Sequence, residues 1–305
     1  MLLLERLEKL FQTIPLRLHK VKKRKFGHHS DQLSIVGLGG ISIKNIGQER
    51  SDRLVNYAFG NGVNYFDVAP GYGDSQELMG NSLKDIRKNV FLACKTASRS
   101  SKKSLDDLEN SLKLLKTDYF DLYQLHGMKS EKDYQLATAK GGALETLINA
   151  KKQGKVRYIG FSCHSIKVAH MLLDNHEFDS ILFPVNWNLI LNVGFGPEIL
   201  QKAEETKTAV LALKSMADTL WKDSDRDFEK CWYKPLSDKK MIDLAVKFTL
   251  SKNVVSFLPP GDENLFKMGV QAALNFEEIS SEELNFLKLK TLHSDPIGSS
   301  EEVFI

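Results

Sequence analysis

The chain is poor in cysteine. Its three, Cys94, Cys163 and Cys231, are scattered through 305 residues with no C-x-x-C pair. That excludes a disulfide scaffold and leaves no cysteine spacing suited to a metal. Reduced thiols in a cytoplasmic protein are the simplest account, and no metal is expected. Long apolar runs are missing too: none approaches the roughly 18 residues that a membrane span needs. Net charge is small. Against 39 Asp and Glu stand 42 Lys and Arg, a formal +3 that gives no drive toward nucleic acid. The one basic cluster, Lys20-Val21-Lys22-Lys23-Arg24-Lys25, reads as a solvated strand or arm rather than a polyanion-binding patch. Finally, no G-x-G-x-x-G follows a strand. Gly37-Leu38-Gly39-Gly40 has the wrong spacing and no acidic residue at the expected distance, so an open dinucleotide-binding sheet lacks its fingerprint.

What is present is an ordinary globular composition, 42% apolar and 27% charged. Residues 1–22 stand apart as an N-terminal extension. Leu2, Leu3, Leu4, Leu7, Leu10 and Phe11 form a partly helical stripe, broken by Glu5, Arg6, Glu8 and Lys9. Those charges interrupt the apolar run of a secretory signal, and the stretch reads as a short amphipathic arm packing on the body or a frayed extension. From residue 33 a strand–helix rhythm sets in. Strands are expected at about 33–38, 63–67, 89–95, 119–125, 156–161, 179–183, 208–213 and 253–258. Helices are expected at about 49–60, 75–84, 104–115, 141–153, 165–175, 197–206, 238–251 and 262–270, the third opened by Ser104 with Asp107 three residues on. Such alternation implies a parallel sheet with crossover helices. About eight units in a chain of this length imply a closed (β/α)8 barrel, one domain over residues 23–305 behind an N-terminal extension or hairpin. The stretches past Trp187 and over about 214–237 read as long loops. The second carries Trp221, Phe228, Trp232 and Tyr233, enough apolar surface to wall a pocket.

A barrel of this kind carries its functional side chains at the C-terminal ends of the strands. The second strand ends on Asp67 and opens, through Pro70, Gly71 and Gly73, into a loop holding Tyr72. The third ends on Lys95 and the fourth on His126. A tyrosine phenol, which titrates near pH 10, is a proton donor held in reserve. A neighbouring lysine is expected to lower that pKa, and an aspartate keeps the lysine charged. A histidine beside them polarises a carbonyl oxygen. Together these groups deliver a proton to an oxygen becoming an alkoxide. The hydride such a reaction needs must come from a cofactor. A competing chemistry makes Lys95 the Schiff-base amine of an aldolase-type barrel, which requires a depressed lysine pKa that Asp67 opposes.

The set Asp67, Tyr72, Lys95 and His126, carried in FDVAPGYG, ACKT and YQLHG, resembles the aldo/keto reductase family over about residues 24–275. Lys155-Val156-Arg157-Tyr158-Ile159-Gly160-Phe161-Ser162 resembles the family's fifth strand, and Ala212-Leu213-Lys214-Ser215-Met216 an atypical bacterial and archaeal branch. The resemblance implies reversible reduction of a small aldehyde or ketone, with NADP as cofactor and NAD as the alternative. Tyr72 would be the proton donor, Lys95 and Asp67 would tune it, and His126 would orient the carbonyl. Cofactor contacts are implied for Gly40 and Ile41, Asp67, Ser162 and Cys163, Asn186, Lys214 and Ser215, Pro260 and Gly261, and Lys267. Lys214 would meet the pyrophosphate or pair with a carboxylate. Asp262 and Glu263 stand where NADP-binding members place basic residues. Trp187, Trp221 and Trp232 are the expected pocket walls, Trp187 also being the candidate ring for stacking on the nicotinamide. With no cysteine beyond Cys231, no C-terminal iron–sulfur extension is expected. The family's usual glutamine on strand six is missing, which leaves a second reading: a cofactor-binding regulatory protein with little turnover.

Overall fold

The computed structural model describes residues 20–222 and 226–304, so the expected arm at the N-terminus lies almost wholly outside the described residues. In chain order the elements begin with β1 (Lys23–Lys25), β2 (Gln32–Ser34), β3 (Gly37–Gly39), α1 (Gln48–Gly60), β4 (Tyr65–Asp67), α2 (Ser75–Leu83), β5 (Phe91–Thr96) and α3 (Ser101–Leu114). The middle of the chain gives β6 (Phe120–Met128), α4 (Glu131–Thr138), α5 (Ala143–Lys152), β7 (Val156–Cys163), α6 (Ile166–Asn175), β8 (Ser180–Pro184), α7 (Trp187–Val193) and α8 (Pro197–Glu205). The last part gives β9 (Ala209–Leu213), β10 (Ala217–Thr219), β11 (Lys234–Pro235), α9 (Lys239–Leu250), β12 (Ser256–Phe257), α10 (Glu263–Leu274) and α11 (Ser281–Thr291).

Eight parallel strands run β3-β4-β5-β6-β7-β8-β9-β12. A parallel bridge between Val36 and Phe257 joins the two ends, with the Phe257 N–H donating to Ile35 O at 3.0 Å. The eight-stranded barrel expected from the alternation is therefore what the chain forms. Its first expected strand is divided, however. Gln32–Ser34 pairs antiparallel with Lys23–Lys25, and only Gly37–Gly39 joins the barrel. Ser34 makes the break: its hydroxyl donates to Val36 O at 2.7 Å, while its N–H donates to the Asn64 side chain.

Successive strand residues point to opposite faces, and the two faces pack differently. Phe66, Leu92, Tyr123, Ile181 and Val210 face the helices in the main apolar cluster. Tyr65, Phe91, Leu122, Leu182 and Leu211 face inward, where Phe26 and Leu33 of the β1–β2 hairpin join them. Phe26 lies 5.0 Å from the Phe91 ring and 5.1 Å from that of Tyr158, so the hairpin stoppers the N-terminal end of the barrel. The basic cluster has work inside the molecule: the Arg24 guanidinium donates to Leu250 O at 2.8 Å and Val254 O at 2.7 Å, at the carbonyl end of α9.

Three further expectations change. α3 starts at Ser101 behind Ser100; Ser104 is buried inside it, and the Asp107 carboxylate accepts from Thr96 Oγ1 at 2.6 Å instead of closing a capping box. The polar loop after His126 holds α4, opened by a Ser130–Asp133 capping box. The two long loops carry α7 and the β10–β11 hairpin, and α11 adds a helix beyond the last one expected.

Charge reinforces the stoppered end. Asp121, only 2% exposed, accepts from Arg87 at 3.0 Å, from Arg157 at 2.7 Å and from the Leu92 N–H at 2.9 Å. Arg157 also reaches Asp31 of the hairpin at 2.8 Å. Removing one member of a buried pair strands the others. Asp121→Ala is expected to lower the unfolding free energy by about 3 kcal/mol, read as a lower urea midpoint at unchanged slope. A loss under about 1 kcal/mol would reduce the network to the worth of a surface pair.

Candidate active site

At the opposite end the inward-facing positions turn polar. Asp67 ends β4, Lys95 lies near the end of β5, and Gln124 and His126 lie two apart on β6. The Lys95 ammonium donates to Asp67 Oδ1, both side chains being 2% exposed or less. Asp67 Oδ2 accepts from the Tyr65 hydroxyl at 3.1 Å and from Gln124 Nε2 at 3.2 Å. The carboxylate is thus held by three donors. Gly37 makes room for one of them: a Cβ there would stand 2.4 Å from the Tyr65 ring and 2.9 Å from Leu258.

Tyr72 sits above this pair. The Lys95 ammonium lies 5.6 Å from the centre of its ring, and the His126 ring meets it edge-on, centroids 6.0 Å apart. Burial pushes the phenol above its ordinary pKa, and the Lys95 cation only partly offsets this. The lowered phenol pKa expected from the sequence is therefore reversed, and Tyr72 holds its proton firmly at neutral pH. Burial would pull the Lys95 amine down, but the Asp67 carboxylate outweighs it and holds the amine above its ordinary value. That argues against Lys95 as a Schiff-base nucleophile. His126 is lowered to about 3, first by burial and then by the Lys95, Arg99 and Lys129 cations, so its imidazole is neutral. The backbone beneath it is fixed by Arg99, which donates to the carbonyls of His126 and Gly127, each at 3.0 Å, and by the Gly127 N–H, which donates to Ser162 Oγ at 2.7 Å.

These groups open into a cavity of about 380 Å³. Besides the four catalytic candidates it is lined by Ile41, Ser162, Lys214, Trp232, Pro260 and Gly261 of the expected set, and also by Lys129, His164, Lys230 and Tyr233. Lys230, Cys231, Trp232 and Tyr233, before β11, form part of that lining; Trp221 Nε1 donates to Cys231 O at 2.9 Å and Lys230 Nζ to Ser42 O at 3.4 Å. Lys214 follows β9 with φ +63°, a left-handed conformation that costs a lysine on the order of 1–2 kcal/mol. Its ammonium packs on the faces of Tyr233 (4.7 Å) and Trp232 (5.4 Å). Among the described residues no group of His, Cys, Asp and Glu is placed to hold a metal ion, and no helix is long and apolar enough to cross a membrane.

A strand-four imidazole, a loop phenol and a buried lysine–aspartate pair at one barrel mouth can be compared with known proteins. The sequence pattern of the aldo/keto reductase family matches residues 35–283. The chain belongs to the aldo/keto reductase family. It is 33% identical over 158 residues to the uncharacterized oxidoreductase YqkF of Bacillus subtilis, covering 47% of this chain and 49% of that one. It is 33% identical over 144 residues to the aldo-keto reductase YhdN of the same organism, covering 43% and 42%. The chain thus spans about half the length of these curated relatives. A holo-form aldo-keto reductase of Bacillus halodurans shares the fold with a TM-score of 0.69, over 89% of this chain and 96% of that one at 22% identity.

Several residues expected to line this reductase-family pocket stand elsewhere. Trp187 is wholly buried at the start of α7 in the main core and is not among the residues that line the cavity. Trp221 serves as a loop anchor instead of a wall. Asn186 caps α7 through the N–H groups of Asn188 and Leu189, and its amide donates to Lys214 O (2.9 Å) and Ala217 O (3.0 Å). It braces the Lys214 turn from beneath the pocket. The Cys163 thiol turns to Ser165 O, and the buried Ser215 hydroxyl has no partner among the described residues. Gly40 packs against Val68, and Lys267 pairs with Glu263 at 2.8 Å, outside the lining. Tyr65, Gln124 and His164 join the site without being singled out by the sequence. Each lies two residues from a candidate position (Asp67, His126 and Ser162), and that period of two is the signal for them.

A lowered histidine pKa has a defined sign. The unfolded chain takes up the proton near pH 6.5, whereas folded His126 takes it only near 3. Its neutral form therefore favours folding above pH 6.5, and that contribution is lost as pH falls toward 3. In NMR titration the His126 ring signals are expected to stay fixed from pH 8 to about 5; a midpoint near 6.5 would show an imidazole open to water. Lys214 behaves likewise: burial first, aided by Lys129, lowers its amine to about 7 despite Cys231. Between 10.5 and 7 the unfolded chain holds a proton that the fold refuses, so stability is lost as pH falls through that window. Lys214→Met is expected to raise Tm at pH 8 in the absence of ligand, and a lowered Tm would contradict the cost assigned to this amine.

Proposed function

We propose that this protein reduces an aldehyde or ketone reversibly to the alcohol, using a nicotinamide dinucleotide. The observation that carries this reading is the buried Lys95–Asp67 pair beneath a protonated Tyr72, with neutral His126 at its side. A bound nicotinamide cofactor would supply the hydride. The chain's own residues handle the oxygen and the proton. Neutral His126 is suited to donate a hydrogen bond that orients the carbonyl. Tyr72 keeps its proton until the oxygen gains negative charge, then gives it up. The phenolate left behind faces the Lys95 ammonium, which Asp67 holds in place and in its charged form.

The cavity fits a dinucleotide in the chemistry of its donors. On the β3 and β12 side, Ile41, Pro260 and Gly261 line a tight wall, a Cβ on Gly261 falling 2.9 Å from Ile41, with the Lys230 ammonium nearby. These residues, with Asp67 and Ser162, are the proposed cofactor contacts. The acids near the adenosine end do not favour NAD as strongly as their sequence implies. Asp262 is used as the N-cap of α10, accepting from Asn264 and Leu265, and Glu263 is neutralised by Arg50 at 3.0 Å and Lys267 at 2.8 Å. NADP therefore stays ahead of NAD in this proposal.

Two measurements test it. Fluorescence titration should show binding of NADPH, with NADH weaker; binding of neither would move the weight to a non-redox role. Tyr72→Phe should lower turnover of a carbonyl substrate by roughly 10²–10⁴-fold while keeping NADPH affinity. Unchanged turnover would remove Tyr72 as the acid.

A further inference from the structure

Tyr65 and Gln124 have no part in the proton transfer as proposed, yet both are built into the site. Each is wholly buried, on β4 and β6, and each donates to one atom, Asp67 Oδ2, at 3.1 and 3.2 Å. The Tyr65 hydroxyl has no other partner among the described residues. The Gln124 amide keeps its bond to the carboxylate although its own Oε1 is then buried without a partner among the described residues. An unmet buried acceptor is costly, so this orientation benefits the carboxylate and not the amide.

Lys95 uses the other oxygen. An ammonium carries three N–H donors. Among the described residues its acceptors are Asp67 Oδ1 and, at 3.4 Å, Val68 O. One N–H is left uncommitted, and the Tyr72 ring centre lies 5.6 Å from the nitrogen. With Oδ2 open, a compact ammonium is free to settle between the two carboxylate oxygens, where its attraction to both is greatest. With Oδ2 filled by two donors it is confined to Oδ1. The charges that act on Tyr72 are those of Lys95 and Asp67. Its other titratable neighbours stay neutral around pH 7, since burial pushes the Cys94 thiol up to about 11 and the His126 imidazole down to about 3.

We infer that Tyr65 and Gln124 are positioning residues for the proton transfer: by filling Asp67 Oδ2 they confine Lys95 to Oδ1 and keep its remaining N–H for the Tyr72 phenolate. In reduction the phenol proton passes to the substrate oxygen as the hydride reaches carbon, and the phenolate is left facing Lys95. In oxidation the phenolate takes the alcohol proton back. A cation drawn toward Asp67 Oδ2 stabilises that phenolate less, so the phenol rises further.

This role rests on the carbonyl-reductase reading, so one readout is structural and independent of turnover. In crystals of the Tyr65→Phe/Gln124→Leu double variant, Lys95 Nζ should lie within hydrogen-bond distance of both Asp67 oxygens and farther from the Tyr72 ring than in the wild type. Lys95 unmoved, with a water on Oδ2, would overturn the inference. The second readout is the pH profile of benzyl alcohol oxidation by NADP⁺. Its midpoint should move up by about half a unit in Tyr65→Phe and about one unit in the double variant, with KM within about twofold. Below the midpoint, oxidation and benzaldehyde reduction should fall together, by about threefold or more, as their shared equilibrium requires. Lys214 titrates near 7 in the same cavity, but it does so in every variant, so the difference between profiles reports Tyr72. Phe91→Leu loosens packing against the Tyr65 ring, 6.1 Å away, without removing a donor, and should leave the midpoint in place. A double variant slower by the same factor at every pH, with the wild-type midpoint, would make the two residues merely structural. Absence of any carbonyl reduction would defeat the functional reading alone, because the place of Lys95 in the double variant still decides whether Tyr65 and Gln124 confine it.

Discussion

The site depends on one buried ion pair. Taking Lys95 and Asp67 out of water costs several kcal/mol per ion, and their attraction repays this only where the remaining hydrogen-bonding capacity is met. The barrel meets it by register. β4 pairs with β5 and β5 with β6 in parallel, so Tyr65, Asp67, Lys95 and Gln124 converge on the inner face of three adjacent strands. Gly37 on β3 yields the space that Tyr65 needs to reach the carboxylate. Four strands thus cooperate to hold one carboxylate, and the phenol above it inherits a fixed cation.

The same inner face is apolar at one end of the barrel and polar at the other. At the stoppered end Phe26, Phe91 and Tyr158 fill the interior, and the Asp31, Asp121, Arg87 and Arg157 network binds the hairpin to β5, β6 and β7. Rigidity there is compatible with the proposed function, because Asp67, Tyr72, Lys95 and His126 all lie at the other end. At the open end some side chains stay under-satisfied: among the described residues His164, Ser215 and Gln124 Oε1 are buried without partners, and Lys214 adopts a left-handed backbone.

Most of the barrel was legible because strands buried on both faces read as apolar runs between turn signals, and because functional groups fall at their ends. Asp67, Tyr72, Lys95 and His126, picked out by that rule, line one cavity. Other readings failed for physical reasons. A tryptophan after a strand looks like a pocket wall, but Trp187 begins an unexpected helix that turns its ring into the core. Asn186 looks like a cofactor contact, but it is used as that helix's cap. Ser104 and Asp107 have capping-box spacing, yet Thr96 claims the carboxylate through a tertiary bond that local sequence does not encode. The direction of the Tyr72 pKa was missed because a neighbouring charge is visible in a sequence and the depth of burial is not.

Two lysines show how far context decides chemistry. Lys95 lies near the end of one barrel strand and Lys214 follows another; both are buried, and both face one cavity. Burial pulls each amine toward its neutral form. Lys95 has a carboxylate in direct contact and stays charged. Lys214 has aromatic faces, which attract a cation more weakly than a carboxylate does, and it falls to about 7. The first is a complete device before any ligand arrives, since its counter-ion is part of the fold. The second lacks a described counter-ion, and its backbone is held in a costly turn by Asn186. A fold that keeps such a residue bears its cost in the free state and recovers it only with a ligand that brings negative charge.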